Sequence, residues 1–280
     1  MIPNIAPDFY VKYRRADVSQ EFNFELDDGV ATVTLNRPDK LNALTFETYA
    51  QLRDLVIDLT HRSAIRVLTI TGRGRGFCSG GDVEEIIGEL QRLETKQLLE
   101  FTRMTGALVK ALRECPVPVI AAVNGIAAGA GAVIALAADF RLLTQSASFA
   151  FLFTRVGLSG ADMGSAYLLP RIVGLGRATE LLILGEKLDA KRAYEIGLAT
   201  EVVPDDGLER AAGALAQRLA TGPSFAYSTT KALLTRELDS DLGSSIEMDA
   251  LTQALLMHSH DWHEFYNAWS EGRKPAWTGR

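Results

Sequence analysis

Cysteine is scarce in this chain: Cys78 and Cys115 are the only two among 280 residues. Two thiols with neither a CxxC nor a His-paired spacing exclude a disulfide framework and offer no zinc-site pattern, so a reduced, cytoplasmic setting is expected. Positive charge is also in deficit. Lys plus Arg number 29 against 35 Asp plus Glu, a formal net charge of −6, which excludes the broad basic footprint of a nucleic-acid binder. The start of the chain lacks the apolar core of a secretory signal and reads as a loose arm. One charge-free run, Val117 to Ala138, has the length to span a bilayer. Pro118, the Asn124-Gly125 pair, Gly129 and Gly131 interrupt it, so it reads as a buried strand, a turn and an Ala-rich helix, and no membrane partner is expected. What remains, 47% hydrophobic and 23% charged, is the composition of a globular protein. At this length a chain can withdraw about three quarters of its unfolded surface from water.

Val30 to Leu35 alternates as a strand and runs into Asn36-Arg37-Pro38. Leu52, Leu55, Val56 and Leu59 mark one face of a helix, with Thr45 as its predicted N-cap. Ile65 to Thr71 is a second strand, and strand, helix, strand implies parallel pairing. The acidic stretch Asp82 to Glu100 reads as a broken helix around Gly88. Leu98, Phe101, Thr105, Leu108 and Leu112 then define a clear one that stops by Pro116. Val117–Val123 and Asp139–Thr144 are further strands flanking the Ala-rich helix. Beyond Ser148 the pattern turns helical, with a last extended piece at Val202-Val203-Pro204. The resulting fold class is α/β, organised as a core over residues 1–200 and a helical region over 201–280.

Two glycine-rich turns, Gly72 to Asp82 and Asn124 to Gly131, each follow a strand and open a helix, where free N–H groups favour negative charge. Neither satisfies GxGxxG, because Phe77 and Ile134 stand where the third glycine belongs, and no GxxxxGK[ST] loop is present. Spacing alone leaves two readings: a ligand cradle, or tight turns needed for packing. HSHDWH, with His258, His260 and His263, reads as a surface helix because its spacings miss the i, i+4 pairing of a metal pair, and no metal is expected. Cys78 reads as a small packing residue.

Four segments occur in order: GVATVTLNRPDKLNALT (29–45), ITGRGRGFCSGGD (70–82), PVIAAVNGIAAGAGAVIALAADFRL (118–142) and LLPRIVGLGRATELLILGEKLDAKRAYEIGLATEVVP (168–204). Together with the RKP at 273–275, they resemble the crotonase (enoyl-CoA hydratase/isomerase) superfamily over about residues 20–280. The resemblance implies a crotonase-like ββα spiral core and a helical C-terminal trimerisation region carrying Trp262, Phe265, Tyr266 and Trp269. It also implies a homotrimer or dimer of trimers, an acyl-CoA substrate, and no cofactor beyond the coenzyme A of the thioester. By the same resemblance Gly81 and Ala130 would supply the N–H groups of an oxyanion hole, and Lys40, Leu41, Ser79 and Asp82 would line the CoA. Arg62, Arg66, Arg73 and Arg75 either add positive charge near its entrance or form a solvated charge cluster.

The catalytic acids depart from the hydratase pattern. The two glutamates of that pattern fall on Val133 and on Phe153 or Thr154. Asp162, nine residues before Arg171, stands where family isomerases and 4-chlorobenzoyl-CoA dehalogenases place an aspartate. The dehalogenase reading lacks its His and Trp partners. Two roles remain open for Asp162, a general base in apolar surroundings or a helix N-cap. The expectation is an enoyl-CoA isomerase using Asp162 as acid/base; the alternatives are an enoyl-CoA hydratase, a catalytically silent acyl-CoA-binding or scaffold protein, and a Rossmann oxidoreductase. Phe149, Phe151 and Phe153 hint at an apolar or ring-bearing acyl group, or are simply core.

Overall fold

The structure, a computed structural model, describes residues 21–59, 62 and 64–280; the loose arm expected at the start of the chain lies outside them. Strands β1 (Phe22–Asp27) and β2 (Val30–Leu35) form an antiparallel hairpin. Helix α1 (Phe46–Asp58) follows, and Thr45 caps it as expected, its hydroxyl accepting from the Thr48 N–H. β3 (Val67–Gly72) then pairs in parallel with β2.

From there the chain repeats one manoeuvre three times: a strand in a six-stranded sheet, a three-residue strand in a second, four-stranded sheet, then a helical segment. β3 leads to β4 (Gly76–Cys78), a short π-helical stretch at Val83–Ile87 and helix α2 (Thr95–Glu114). β5 (Val119–Val123) leads to β6 (Ile126–Ala128) and helix α3 (Ala130–Ala137). β7 (Phe140–Thr144) leads to β8 (Ser148–Ala150) and, after a loop, helices α4 (Ser165–Val173) and α5 (Leu175–Leu184). β9 (Lys187–Asp189), helix α6 (Ala190–Glu195) and β10 (Glu201–Val203) complete the core. The large sheet runs β1-β2-β3-β5-β7-β10 and the small one β4-β6-β8-β9. The run from Val117 to Ala138 is thus two strands and a buried helix, and none of the described helices is long and apolar enough to cross a membrane.

Alternation along the strands distributes the core. Ala31, Val33 and Leu35 of β2, with Leu68, Ile70, Val119 and Ala121, join the main cluster. Val67, Ile120, Ala122 and Leu142 join a second one on the opposite face. Helix α7 (Leu208–Ala220) covers that second face with Leu208, Ala212, Ala216 and Leu219, spaced four, four and three residues apart on one helical stripe.

Three helices follow: α8 (Ser224–Glu237), α9 (Leu242–Leu256) and α10 (His260–Ser270). Buried Lys231 anchors α8, its ammonium donating to the Leu112 and Val117 carbonyls at 3.0 Å and lying 2.7 Å from Asp139. The terminal residues fold back on α10. Glu264 receives the Arg273 guanidinium and the Ala276 N–H, and Asp261 accepts from the Thr278 and Gly279 N–H groups. Arg66 takes part in this clasp, donating to Thr278 O at 3.0 Å and Ser224 Oγ at 3.2 Å. That geometry corrects the expectation that Arg66 contributes to a CoA entrance: its charge holds the tail to the core. Arg62 likewise pairs with Asp58 and lies over the Phe24 ring.

Candidate active site

The helical starts of the spiral converge because the short strands of the small sheet end side by side. Two loops prepare the first turn. After β2, Leu41 (φ 50°) and Asn42 (φ 57°) are both left-handed, a conformation costly for side chains other than glycine. Asn42, 1% exposed, stabilises it: its Oδ1 accepts from the Arg37 N–H, and its Nδ2 donates to the Arg73 and Gly76 carbonyls at 3.0 and 2.8 Å. Arg37 completes the brace by donating to the Ala43 carbonyl, Asp82 and Glu85. Neither residue is identifiable as a site brace from spacing, because their partners lie about 30 to 48 residues away.

This loop lies against the second one. The Ser79 N–H donates to Leu41 O and its hydroxyl to Lys40 O, while Leu44 N–H donates to Gly80 O and Asp82 N–H to Leu44 O. The structure therefore brings together Lys40, Leu41, Ser79 and Asp82. Their side chains are differently engaged. Exposed Lys40 pairs with Glu84 at 2.6 Å. Asp82 is 3% exposed and caps the helical stretch, one oxygen accepting from the Glu84 and Glu85 N–H groups and the other from Arg37. Burial pushes the Asp82 carboxyl up, but those two N–H groups and the guanidinium more than offset it and hold the group below its ordinary value. Asp82 is thereby an anchor for the turn.

Gly81 and Ala130 occupy equivalent places, each at the junction of a short strand with a helical start. Ala130 is the first residue of α3, where an N–H has no partner within its own helix. Among the described residues neither the Gly81 nor the Ala130 N–H donates a hydrogen bond. The two turns touch: a Cβ on Gly80 (φ 103°) would lie 3.1 Å from Ala128 O and 3.6 Å from Ala130 N. One on Gly131 would lie 2.2 Å from Cys78 O. The glycines are therefore required by packing, and the packing holds two unengaged donors at neighbouring helical starts. Of the two readings that spacing left open, the close contacts bear out tight turns needed for packing. Cys78, fully buried, has its thiol pushed up to about 12, chiefly by burial.

Asp162 lies in the third junction, in the loop between β8 and α4. Gly164 caps α4 without a side-chain bond and the helix begins at Ser165, so the Asp162 carboxylate is not its N-cap. The one hydrogen bond it accepts among the described residues comes from the Met163 N–H at 2.9 Å. The loop is shaped by Met163 (φ 51°) and Gly164 (φ 86°), both left-handed. Fully buried Ser165 closes it, accepting from the Asp162 N–H and donating to Gly160 O at 2.6 Å. Asp162 itself is half-buried, and burial, opposed by the Met163 N–H, raises its carboxyl above the ordinary 3.8. The residues that follow it, Met163, Gly164, Tyr167 and Leu168, form one wall of a cleft of about 430 Å³ whose other wall is α2, including the charged Lys110, Arg113 and Glu114; Asp162 itself does not line this cleft.

The positions expected to align with the hydratase glutamates carry no carboxylate: Val133 and Phe153 are buried and Thr154 is half-buried. Phe149 and Phe151 stack at 6.5 Å within the main core.

Comparison with known proteins agrees with this geometry. Residues 25–280 match the family model for enoyl-CoA hydratase/isomerase. The solved structure of an enoyl-CoA hydratase homologue from Streptomyces coelicolor A3(2) superposes with a TM-score of 0.92 at 58% identity, covering 95% of this chain and 98% of that one. An enoyl-CoA hydratase homologue from Rhodobacter capsulatus is 40% identical over 92% of this chain and 97% of its own length. The 1,2-epoxyphenylacetyl-CoA isomerase of Escherichia coli is 37% identical over 91% and 97%. Spiral core, helical C-terminal region and relatives agree: the chain belongs to the enoyl-CoA hydratase/isomerase family of the crotonase superfamily and is an acyl-CoA-processing enzyme.

Proposed function

We propose that this enzyme moves the double bond of an enoyl-CoA, with Asp162 as its single acid/base and the Gly81 and Ala130 N–H groups as its oxyanion hole. One observation carries the reading. Around the two turns Asp82 and Glu85 bind Arg37 and Glu84 binds Lys40, whereas Asp162, half-buried, has no cation partner among the described residues and accepts a single hydrogen bond, from the Met163 N–H. A half-buried carboxylate with a raised pKa is suited to exchange protons. Asp162 removes a proton from C2 of a 3-enoyl thioester, and the negative charge passes to the thioester oxygen. Two preorganised donors at about 3 Å from that oxygen contribute several kcal/mol. The same carboxyl then returns the proton at C4, giving the 2-enoyl thioester with no net change in composition.

The name of the Escherichia coli relative supports isomerisation, and that of the Rhodobacter capsulatus relative supports the second reading, a hydratase. Water addition calls for a second acid, and Val133, Phe153 and Thr154 do not supply one. Lys40 is read as meeting a CoA phosphate at the loop edge, with Leu41 and Ser79 flanking it. The assembly we infer is a homotrimer or dimer of trimers. In its favour, α9 buries no residue and exposes Leu242, Ile246, Leu251 and Leu255, while α10 exposes Trp262, Phe265, Tyr266 and Trp269.

The test is a panel of 2-enoyl-, 3-enoyl- and aromatic-ring acyl-CoA esters. The proposal expects 3-enoyl-CoA to become 2-enoyl-CoA. Formation of a 3-hydroxyacyl-CoA as the principal product would make the enzyme a hydratase, and tight binding without turnover of any ester would leave an acyl-CoA-binding protein.

A further inference from the structure

Tyr49, on α1, is a buried polar group that the proposed chemistry has not used. It is 3% exposed, and its ring meets Phe101 of α2 edge-on at 6.1 Å. Buried tyrosine hydroxyls ordinarily find a partner. This one makes no hydrogen bond among the described residues.

The direction of the hydroxyl is informative. A Cβ built on Gly81 would lie 3.9 Å from Tyr49 Oη, with the Ile86 side chain at 3.6 Å. The oxygen thus faces the residue whose free N–H is the first donor of the thioester site. Burial first, then Cys78 and Asp162, keep its pKa well above the ordinary value. At working pH it is a neutral O–H that can donate.

We propose that the Tyr49 hydroxyl is a third hydrogen-bond donor of the acyl site, contacting the oxygen of the bound thioester beside Gly81. The inference rests on the reading of Gly81 and Ala130 as the thioester site, not on the choice of isomerisation. A phenol donor in a water-poor pocket strengthens its bond as negative charge collects on the oxygen, so its effect grows from ground state to enolate. An unpartnered donor in the free enzyme also fits, because catalytic hydrogen bonds often form only in the complex.

Tyr49→Phe keeps the ring and its contact with Phe101, and removes only the donor. The probe is acetoacetyl-CoA, a β-keto thioester whose enolate absorbs in the near ultraviolet, with free CoA as control. The proposal expects Tyr49→Phe to bind acetoacetyl-CoA about tenfold more weakly, with a smaller enolate band and unchanged CoA affinity. On the best enoyl-CoA, kcat should fall about 10- to 100-fold with KM nearly constant. Wild-type affinity and enolate band in the variant would overturn the proposal. So would an unchanged band together with a displaced acid limb of kcat/KM, which would make Tyr49 a positioning residue for Asp162. If wild-type enzyme binds acetoacetyl-CoA no better than CoA, the thioester-site reading fails as well. Should the variant fold poorly, 3-fluorotyrosine at position 49 gives the same decision: its 19F line should shift with acetoacetyl-CoA and not with CoA.

Discussion

Gly131→Ala isolates the contact that holds the two donor turns in register. The added methyl carbon would stand 2.2 Å from Cys78 O, 2.7 Å from Cys78 Cβ and 2.8 Å from Cys78 C. An ordinary carbon–oxygen contact needs about 1 Å more, and the obstacle is mostly backbone of β4, which no rotamer change can clear. Either α3 or β4 must move by several tenths of an ångström. Overpacking of this kind costs about 1–3 kcal/mol, which in a chain of this size lowers Tm by roughly 2–12 °C. Activity should suffer more than stability, because Ala130 N–H precedes the displaced residue and Gly81 lies three residues beyond Cys78. Misplacing one such donor costs about 100- to 1,000-fold in kcat. Gly213→Ala provides the control: this glycine is inside α7 with nothing within 4 Å of its added Cβ. It should gain about 0.5–1 kcal/mol from helix propensity and keep full activity. Thermal unfolding and steady-state kinetics on both variants decide the matter. A Gly131→Ala protein with wild-type Tm and kcat would refute the idea that close packing of the turns sets the donor geometry.

Three further outcomes are expected. In native protein neither cysteine should react with iodoacetamide at pH 8, since Cys78 and Cys115 are buried and both thiols are raised; mass spectrometry should find both labelled only after unfolding. Lys40→Ala, which removes an exposed partner of Glu84, should leave Tm within about a degree and raise KM several-fold with kcat constant if Lys40 meets a CoA phosphate; an unchanged KM would remove it from the site. The raised pKa of Asp162 means that folding favours its protonated form. Its stabilising contribution is therefore complete below the unfolded value of 3.8 and is lost as pH rises through the folded pKa. Asp162→Asn should accordingly keep or raise Tm at pH 7, with that difference vanishing in acid; a lower Tm at pH 7 would mean that the ionised carboxylate is structurally needed.

Much of the fold was legible because long elements carry periodic patterns. β2 spans Val30–Leu35 as its alternation predicts, and α2 buries Phe101, Thr105, Leu108 and Leu112 as its spacing predicts. The small sheet was not legible, because its strands are three residues long and three residues display no period. It matters nonetheless, since β4 and β6 lie inside the two glycine-rich segments and lead into the helical starts. Long-range brackets were equally hidden. Arg66 looked like local positive charge near an entrance and instead binds a tail 212 residues away; nothing in the spacing marks Asn42, whose side chain braces the left-handed turn at Leu41 and Asn42. For Asp162, sequence favoured a base and left a helix cap open. The structure removes the cap role at α4, because Gly164, two residues further on, caps that helix. Family motifs supplied the roles of Gly81 and Ala130, and no pattern of spacing alone assigns a task to a backbone N–H.

The central claim is that one carboxylate, Asp162, moves the proton at an oxygen held by backbone donors. The measurement that meets it most directly follows 3-enoyl-CoA in D2O with wild type and Asp162→Asn, reading product identity and deuterium content together. The account predicts 2-enoyl-CoA from the wild type, with any solvent deuterium confined to C2 and C4. It predicts that the variant loses about 100- to 10,000-fold in kcat while still binding CoA esters. A variant that isomerises within a few-fold of the wild-type rate would contradict it.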